Sequence, residues 1–130
     1  MRTLLPEHHP MERYQGECFV LAADVCREAG KEGAAGWTWY TGAAGWYWRV
    51  AVQELLGLRF RGGLLYLEPK LPFSWPGYKA QLKLPQGVLE IQVVLGTEHR
   101  LTLDGIPVPQ GIDCMRLVGH HCLRMEILQK

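Results

Sequence analysis

"YKAQLKLPQGVLEIQVV", Tyr78–Val94, decides the fold class. Tyr78, Ala80, Leu82 and Leu84 alternate with Lys79, Gln81 and Lys83, a period of two that suits a strand with one buried face. Pro85-Gln86-Gly87 carries turn residues, and Leu89, Ile91 and Val93 resume the apolar face on the return. Pattern and turn chemistry together predict a β-hairpin.

The same alternation continues downstream. "HRLTLDGIPV", His99–Val108, places Asp104-Gly105 as a turn between two short strands. "CMRLV", Cys114–Val118, and "CLRMEIL", Cys122–Leu128, supply two further strands, the second with Leu123, Met125 and Ile127 on one face. About six antiparallel strands are expected. Between them and the upstream sequence, "LEPKLPFSWPGY" holds Pro69, Pro72 and Pro76 and reads as an ordered linker.

Upstream, the period changes to that of a helix. Trp46, Val50 and Ala51 share one stripe, which Trp48, Val52, Leu55 and Leu56 widen until apolar positions wrap most of the circumference. Thr41 suits the N-cap and Gly57 the left-handed position just past the end. These signals predict one helix of about four turns from Gly42 to Leu56, buried on several sides. Arg27–Gly36, with three glycines and several charges, reads as a loop, and residues 1–16 as a loop or extended lead-in. "CFVLAADV", Cys18–Val25, fits strand or helix equally. The expected class is therefore α+β, with one long helix packed on an antiparallel β-sandwich or jelly-roll-like segment.

Totals exclude several functions. In 130 residues the chain carries 14 Lys and Arg against 13 Asp and Glu, for a net charge of +1. The basic residues are scattered, so the electrostatic footprint of a nucleic-acid partner is missing. No window approaches the roughly 18 apolar residues of a membrane span. The N-terminus lacks a signal-peptide pattern. Cys18, Cys26, Cys114 and Cys122 show no C-x-x-C spacing, so free thiols in a reducing, cytoplasmic setting are the expectation. His8-His9 and His120-His121 invite a metal reading, yet neighbours in a strand point to opposite faces and cannot readily share one ion. Arg59 and Arg61 are expected to be solvated.

"WTWYTGAAGWYWR", Trp37–Arg49, holds four of the five tryptophans around a bare Thr41-Gly42 step. First-turn amides lack partners within a helix and carry positive potential, so Thr41 and Gly42 could seat a phosphate, with Ala43, Ala44 and Gly45 keeping its rim clear. Equally, Thr41 could serve only as a cap and the glycines only for close packing. Trp37, Trp39 and Trp46 could stack on sugar rings or simply form a core. Local physics leaves both pairs of alternatives open.

Taken together, Gly36–Lys79 resembles the C-terminal part of glycoside hydrolase family 94, the inverting glycoside phosphorylases, in the version that ends cyclic β-1,2-glucan synthases. The similarity runs through G-W-T-W-Y-T-G-x-A-G-W, an Arg shortly after, and P-x-x-P-x-x-W-P-G-Y. "YQGECFVLAADV" before it and "LTLDGIPV" after it extend the match from about Leu4 to Leu128. The resemblance implies that residues 1–60 are the tail of an (α/α)6 barrel, ending in its last helix, and residues 61–130 the closing β-sandwich segment. It implies phosphate contacts at Thr41 and Gly42, with inorganic phosphate as co-substrate and no resident cofactor. The family's catalytic aspartate and phosphate-binding histidine would lie before Met1. Asp24, Asp104 and Asp113 stand outside its catalytic motif, and its D-P and C-I-P read Glu68-Pro69 and Lys70-Leu71-Pro72 here. The chain is thus expected to be inactive alone. Its expected partners are β-glucan, phosphate, and either a second copy or an upstream barrel. A non-catalytic carbohydrate-binding module and an association domain are the alternative functions.

Overall fold

The computed structural model describes residues 5–17, 20–39, 41–72 and 74–128. The chain divides into two compact units, one ending at Val50 and the other beginning at Ala51.

The first unit is mostly irregular. A 3-10 turn at Pro6–His8 and a single helical turn α1, Met11–Tyr14, replace the expected featureless lead-in. Pro6 and Pro10 explain both: proline pre-sets the first turn and has no amide to leave unpaired. Tyr14 is fully buried and stacks on His9, with ring centroids 5.4 Å apart. Val20–Val25 forms neither of the two expected elements. Its backbone instead pairs with the glycine-rich loop: Cys26 donates to the Ala34 carbonyl at 2.8 Å and Gly36 to that of Asp24 at 2.9 Å. Six residues with one bridge, Val25 to Ala35, are too few to sustain a strand against the glycines opposite. Cys18 and Phe19 lie outside the described residues.

The helix is shorter than its apolar pattern. Helix α2 spans Thr41–Arg49, nine residues, and the backbone then widens to a π-helical stretch over Val50–Leu55, where Leu56 donates to Ala51 five residues back at 2.9 Å. Four residues of β-branched or bulky character (Trp46, Trp48, Val50, Val52) crowd one and a half turns, and widening relieves side-chain crowding of that kind. The expected long, several-sided burial is also absent. Trp46 and Trp48 stay 66% and 62% exposed, and no residue of Val50–Leu55 is fully buried.

The second unit is β-rich and holds two sheets. Strands β1, Leu58–Arg61, and β2, Leu64–Leu67, form an antiparallel hairpin across Gly62-Gly63. The other five are β3 (Gly77–Leu84), β4 (Gly87–Gly96), β5 (Arg100–Leu103), β6 (Ile106–Pro107) and β7 (Gly119–Leu128). They lie in the order β3-β4-β7-β5-β6. The expected hairpins are present, with the two apolar sets on one face and Tyr78 opposite Val93, Ala80 opposite Ile91 and Leu82 opposite Leu89. At the second turn, Asp104 and Gly105 have φ of +51° and +82°, the paired left-handed residues of a tight hairpin.

Two expectations fail here. The sheet is mixed, because β7 enters between β4 and β5 and runs parallel to β4, Ile91 opposite Leu123 and Val93 opposite Met125. A parallel neighbour needs a crossover connection, and residues 97–118 provide it. Cys114–Val118 is part of that crossover: Cys114–Arg116 is a 3-10 turn whose first amides are capped by Asp113, with Met115 N donating to its Oδ1 at 3.1 Å. The cap outweighs three residues of weak alternation.

Both sheets share one core of Leu65, Leu67, Leu89, Ile91, Val93, Ile112, Cys114, Leu123 and Met125. Strand β2 is tied to the crossover by a two-way backbone pair between Leu65 and Ile112, at 2.8 and 2.9 Å. Next to it, the Gln110 side-chain amide acts as a surrogate strand, accepting from Leu67 N at 3.0 Å and donating to Leu67 O at 2.9 Å. Arg59 is not simply solvated. It donates to the Gln53 carbonyl at 3.1 Å and pairs with both Glu54 and Glu68, so the first hairpin is fastened to the residues that precede it.

Candidate functional site

The tryptophan-rich stretch meets the start of α2 as the sequence spacing requires. Residues 36–39 are irregular; the Trp37 carbonyl accepts from Ala23 N at 2.8 Å, and Trp39 adopts a left-handed φ of +65°. A bulky residue in that conformation is uncommon and carries strain. Its indole Nε1 is held by Glu17, donating to Oε1 at 2.9 Å. The Glu17 carboxyl is kept below its usual range by its own backbone N–H first, then by Trp39 and Thr38. A fixed, ionised hydrogen-bond acceptor therefore stands against an indole that is itself 72% exposed.

Thr41 opens α2 as its first helical residue; the expected capping role of its hydroxyl lies outside the described side chains. Gly42 is exposed, and a Cβ built on it would meet no heavy atom within 4 Å. No carboxylate occupies the first turn, so the positive end of the helix is uncompensated by its own sequence. At the last residue of α2, Arg49 lies over the Trp46 ring at 5.2 Å, a cation–π contact that orients that indole.

All three tryptophans singled out from the sequence present their rings to solvent, with Trp37 at 73%. Sequence reasoning gave no site role to Trp48 or Arg49 and did not single out Glu17. Trp48, two residues from Trp46, was legible as a fourth indole; the other two depend on contacts 22 residues apart or on side-chain rotamers.

Other candidates resolve into structural roles. His120 and His121 point to opposite faces, as alternation requires. His120 Nε2 approaches Glu90 at 3.4 Å, while His121 lies between Asp104 Oδ2, at 2.7 Å, and the Val118 carbonyl, at 3.0 Å. Among the described residues, no three His, Cys, Asp or Glu side chains converge as metal ligands. Cys26, Cys114 and Cys122 are free thiols, and burial pushes that of Cys114 up. No helix among the described residues is long and apolar enough to cross a membrane.

The stretch thus combines flat exposed indole faces, a carboxylate held against one of them, and a helix start open at Gly42. The chain is 41% identical over 107 residues to cyclic beta-(1,2)-glucan synthase NdvB of Rhizobium meliloti (strain 1021), a match that covers 78% of this chain and 3% of that protein. The two are related, and the chain spans only about 3% of the length of this curated relative. No family model matches the chain.

Proposed function

We propose that this chain is the C-terminal segment of a family 94 glycoside phosphorylase of the cyclic β-1,2-glucan synthase kind, contributing phosphate contacts from Thr41 and Gly42 while the catalytic acid comes from elsewhere. The carrying observation is the open backbone at Gly42, at a helix start that holds no acid of its own and is flanked by exposed indoles. In an inverting phosphorolysis, phosphate attacks the anomeric carbon on the face opposite the leaving oxygen, which an acid protonates. The α2 amides and Thr41 hydroxyl would hold the phosphate; Trp37, Trp39 and Trp46 would place sugar rings.

Two of the three aspartates are engaged in structural contacts. Asp104 is committed to His121 and to Cys122 N, and Asp113 to Met115 N and Arg116. In this reading α2 is the last helix of the barrel region and the β-rich unit its closing jelly-roll-like segment. The phosphate is a co-substrate and no cofactor is needed. A barrel partner, or a second copy, covers the indoles. The free thiols suit a cytoplasmic setting.

Exposure of all three indoles also favours a second reading, a non-catalytic carbohydrate-binding module. An NMR titration separates the two. Inorganic phosphate should shift the Thr41–Gly45 amides, and β-1,2-glucan oligosaccharides the indole N–H signals. Phosphate silence with indole shifts would leave only the binding module, and silence with both would remove both readings.

A further inference from the structure

We propose that His121 is a pH-operated latch, holding the Met115–Val118 turn against strand β7 when its ring carries both protons and releasing it when one is lost. Both ring nitrogens face acceptors: Nδ1 meets Asp104 Oδ2 at 2.7 Å and Nε2 meets the Val118 carbonyl at 3.0 Å. A neutral imidazole has one N–H and one lone pair, so it satisfies only one of two acceptors. The doubly protonated ring satisfies both.

Location makes this more than a surface ion pair. His121 lies on the same face of β7 as Leu123 and Met125, opposite Leu89 of β4, and its side chain is only 24% exposed. It closes the end of the apolar stripe with a polar ring that must find partners. Asp104 is fixed independently: its Oδ1 accepts from Cys122 N at 2.8 Å and its own N donates to Cys122 O at 2.8 Å. The carboxylate therefore keeps the Nδ1 proton, and the Nε2 proton is the one that leaves to solvent. Its departure puts a lone pair against the Val118 oxygen. The turn behind that oxygen carries Met115 and Val118, exposed by 64% and 65%, so the latch sets the placement of two apolar side chains.

Charged neighbours do not compete for the ring. On β7, His120 and Arg124 face the other side, towards Glu90 and Glu126. Strand β4 brings Glu90 to that same far face, and Arg100 of β5 sits opposite Glu126 at the other end of the strand. In the crossover, Asp113 and Arg116 pair with each other at 3.0 Å. Among the charged side chains of the described residues, Asp104 is the one paired with His121. Its hydrogen bond raises the ring above the ordinary histidine value of 6.5, chiefly by that bond and then, against desolvation, by the Val118 carbonyl. The latch is thus fully closed below 6.5 and opens as pH rises through the higher folded value.

The test is a set of long-range 1H–15N spectra of histidine-labelled full chain across pH 5–9, with the Val118 and Gly119 amides followed in parallel. We expect both His121 nitrogens protonated at pH 6.5 and a titration midpoint above it, with the two amides moving at the same midpoint. Asp104→Asn, which keeps an oxygen for Cys122 N, should bring the midpoint down towards 6.5. His121→Asn should abolish the pH dependence of both amides. A wild-type midpoint at or below 6.5, or amides that ignore the titration, would overturn the proposal.

Discussion

The Tyr78 hydroxyl donates to the Leu56 carbonyl at 2.6 Å, joining the second residue pair of the central hairpin to the residue just past the end of the helical backbone. A carbonyl leaving a π-helical stretch has no further turn to accept from, and the phenol supplies the missing donor. Tyr78→Phe should therefore destabilise the β-rich unit by about 1 kcal/mol in urea denaturation. Burial raises the Tyr78 phenol above its ordinary value of 10. Its contribution is complete below 10 and lost as pH rises past it, so wild-type stability should fall in that alkaline range more steeply than that of Tyr78→Phe. Identical slopes would contradict the assignment.

Tyr14 should behave in the opposite way. Its ring is fully buried, yet its hydroxyl finds no hydrogen-bond partner among the described residues. An unsatisfied buried hydroxyl costs about 1–3 kcal/mol, so Tyr14→Phe should leave stability unchanged or raise it by up to about 1 kcal/mol. A loss comparable to that of Tyr78→Phe would mean the Tyr14 hydroxyl has a partner.

Gly57→Ala tests the exit from the helix. Gly57 has φ of +75°, and a Cβ there would lie 2.1 Å from the Glu68 carbonyl carbon, whose amide is bonded to the Gly57 oxygen at 2.9 Å. Left-handed strain alone costs about 1–2 kcal/mol, and the backbone clash adds to it. Thermal unfolding should show a loss of at least about 2 kcal/mol.

Gly42→Ala is the counterpart at the start of α2. Here the space is empty and φ lies outside the left-handed region, so alanine should be tolerated and add up to about 1 kcal/mol through helix propensity. If the helix start binds phosphate, the same methyl should weaken the phosphate-dependent shifts of the neighbouring amides. An unchanged phosphate response would remove Gly42 from the proposed site.

What the sequence by itself determined is local. The hairpin of Tyr78–Val94, the turn at Asp104-Gly105, the helix start near Thr41 and the left-handed Gly57 all follow from periodicity and turn or cap chemistry within a few residues, whereas the early end of the α-helix at Arg49 does not. The Thr41-Gly42 step among tryptophans was legible for the same reason. Tertiary structure decided what depends on distant partners. Strand β7 runs beside β4 because these two ten-residue strands carry the buried residues Leu89, Ile91, Val93, Leu123 and Met125 into one core at the centre of the sheet, and no local signal encodes which long strand becomes the neighbour. Gln110 became a strand surrogate only because Leu67, 43 residues away, offered an unpaired edge. His121 read as half of a histidine pair until Asp104 and the Val118 carbonyl were brought to its two nitrogens. Alternation tells a side chain which face it occupies, whereas the groups it meets there are chosen by packing across the sheet.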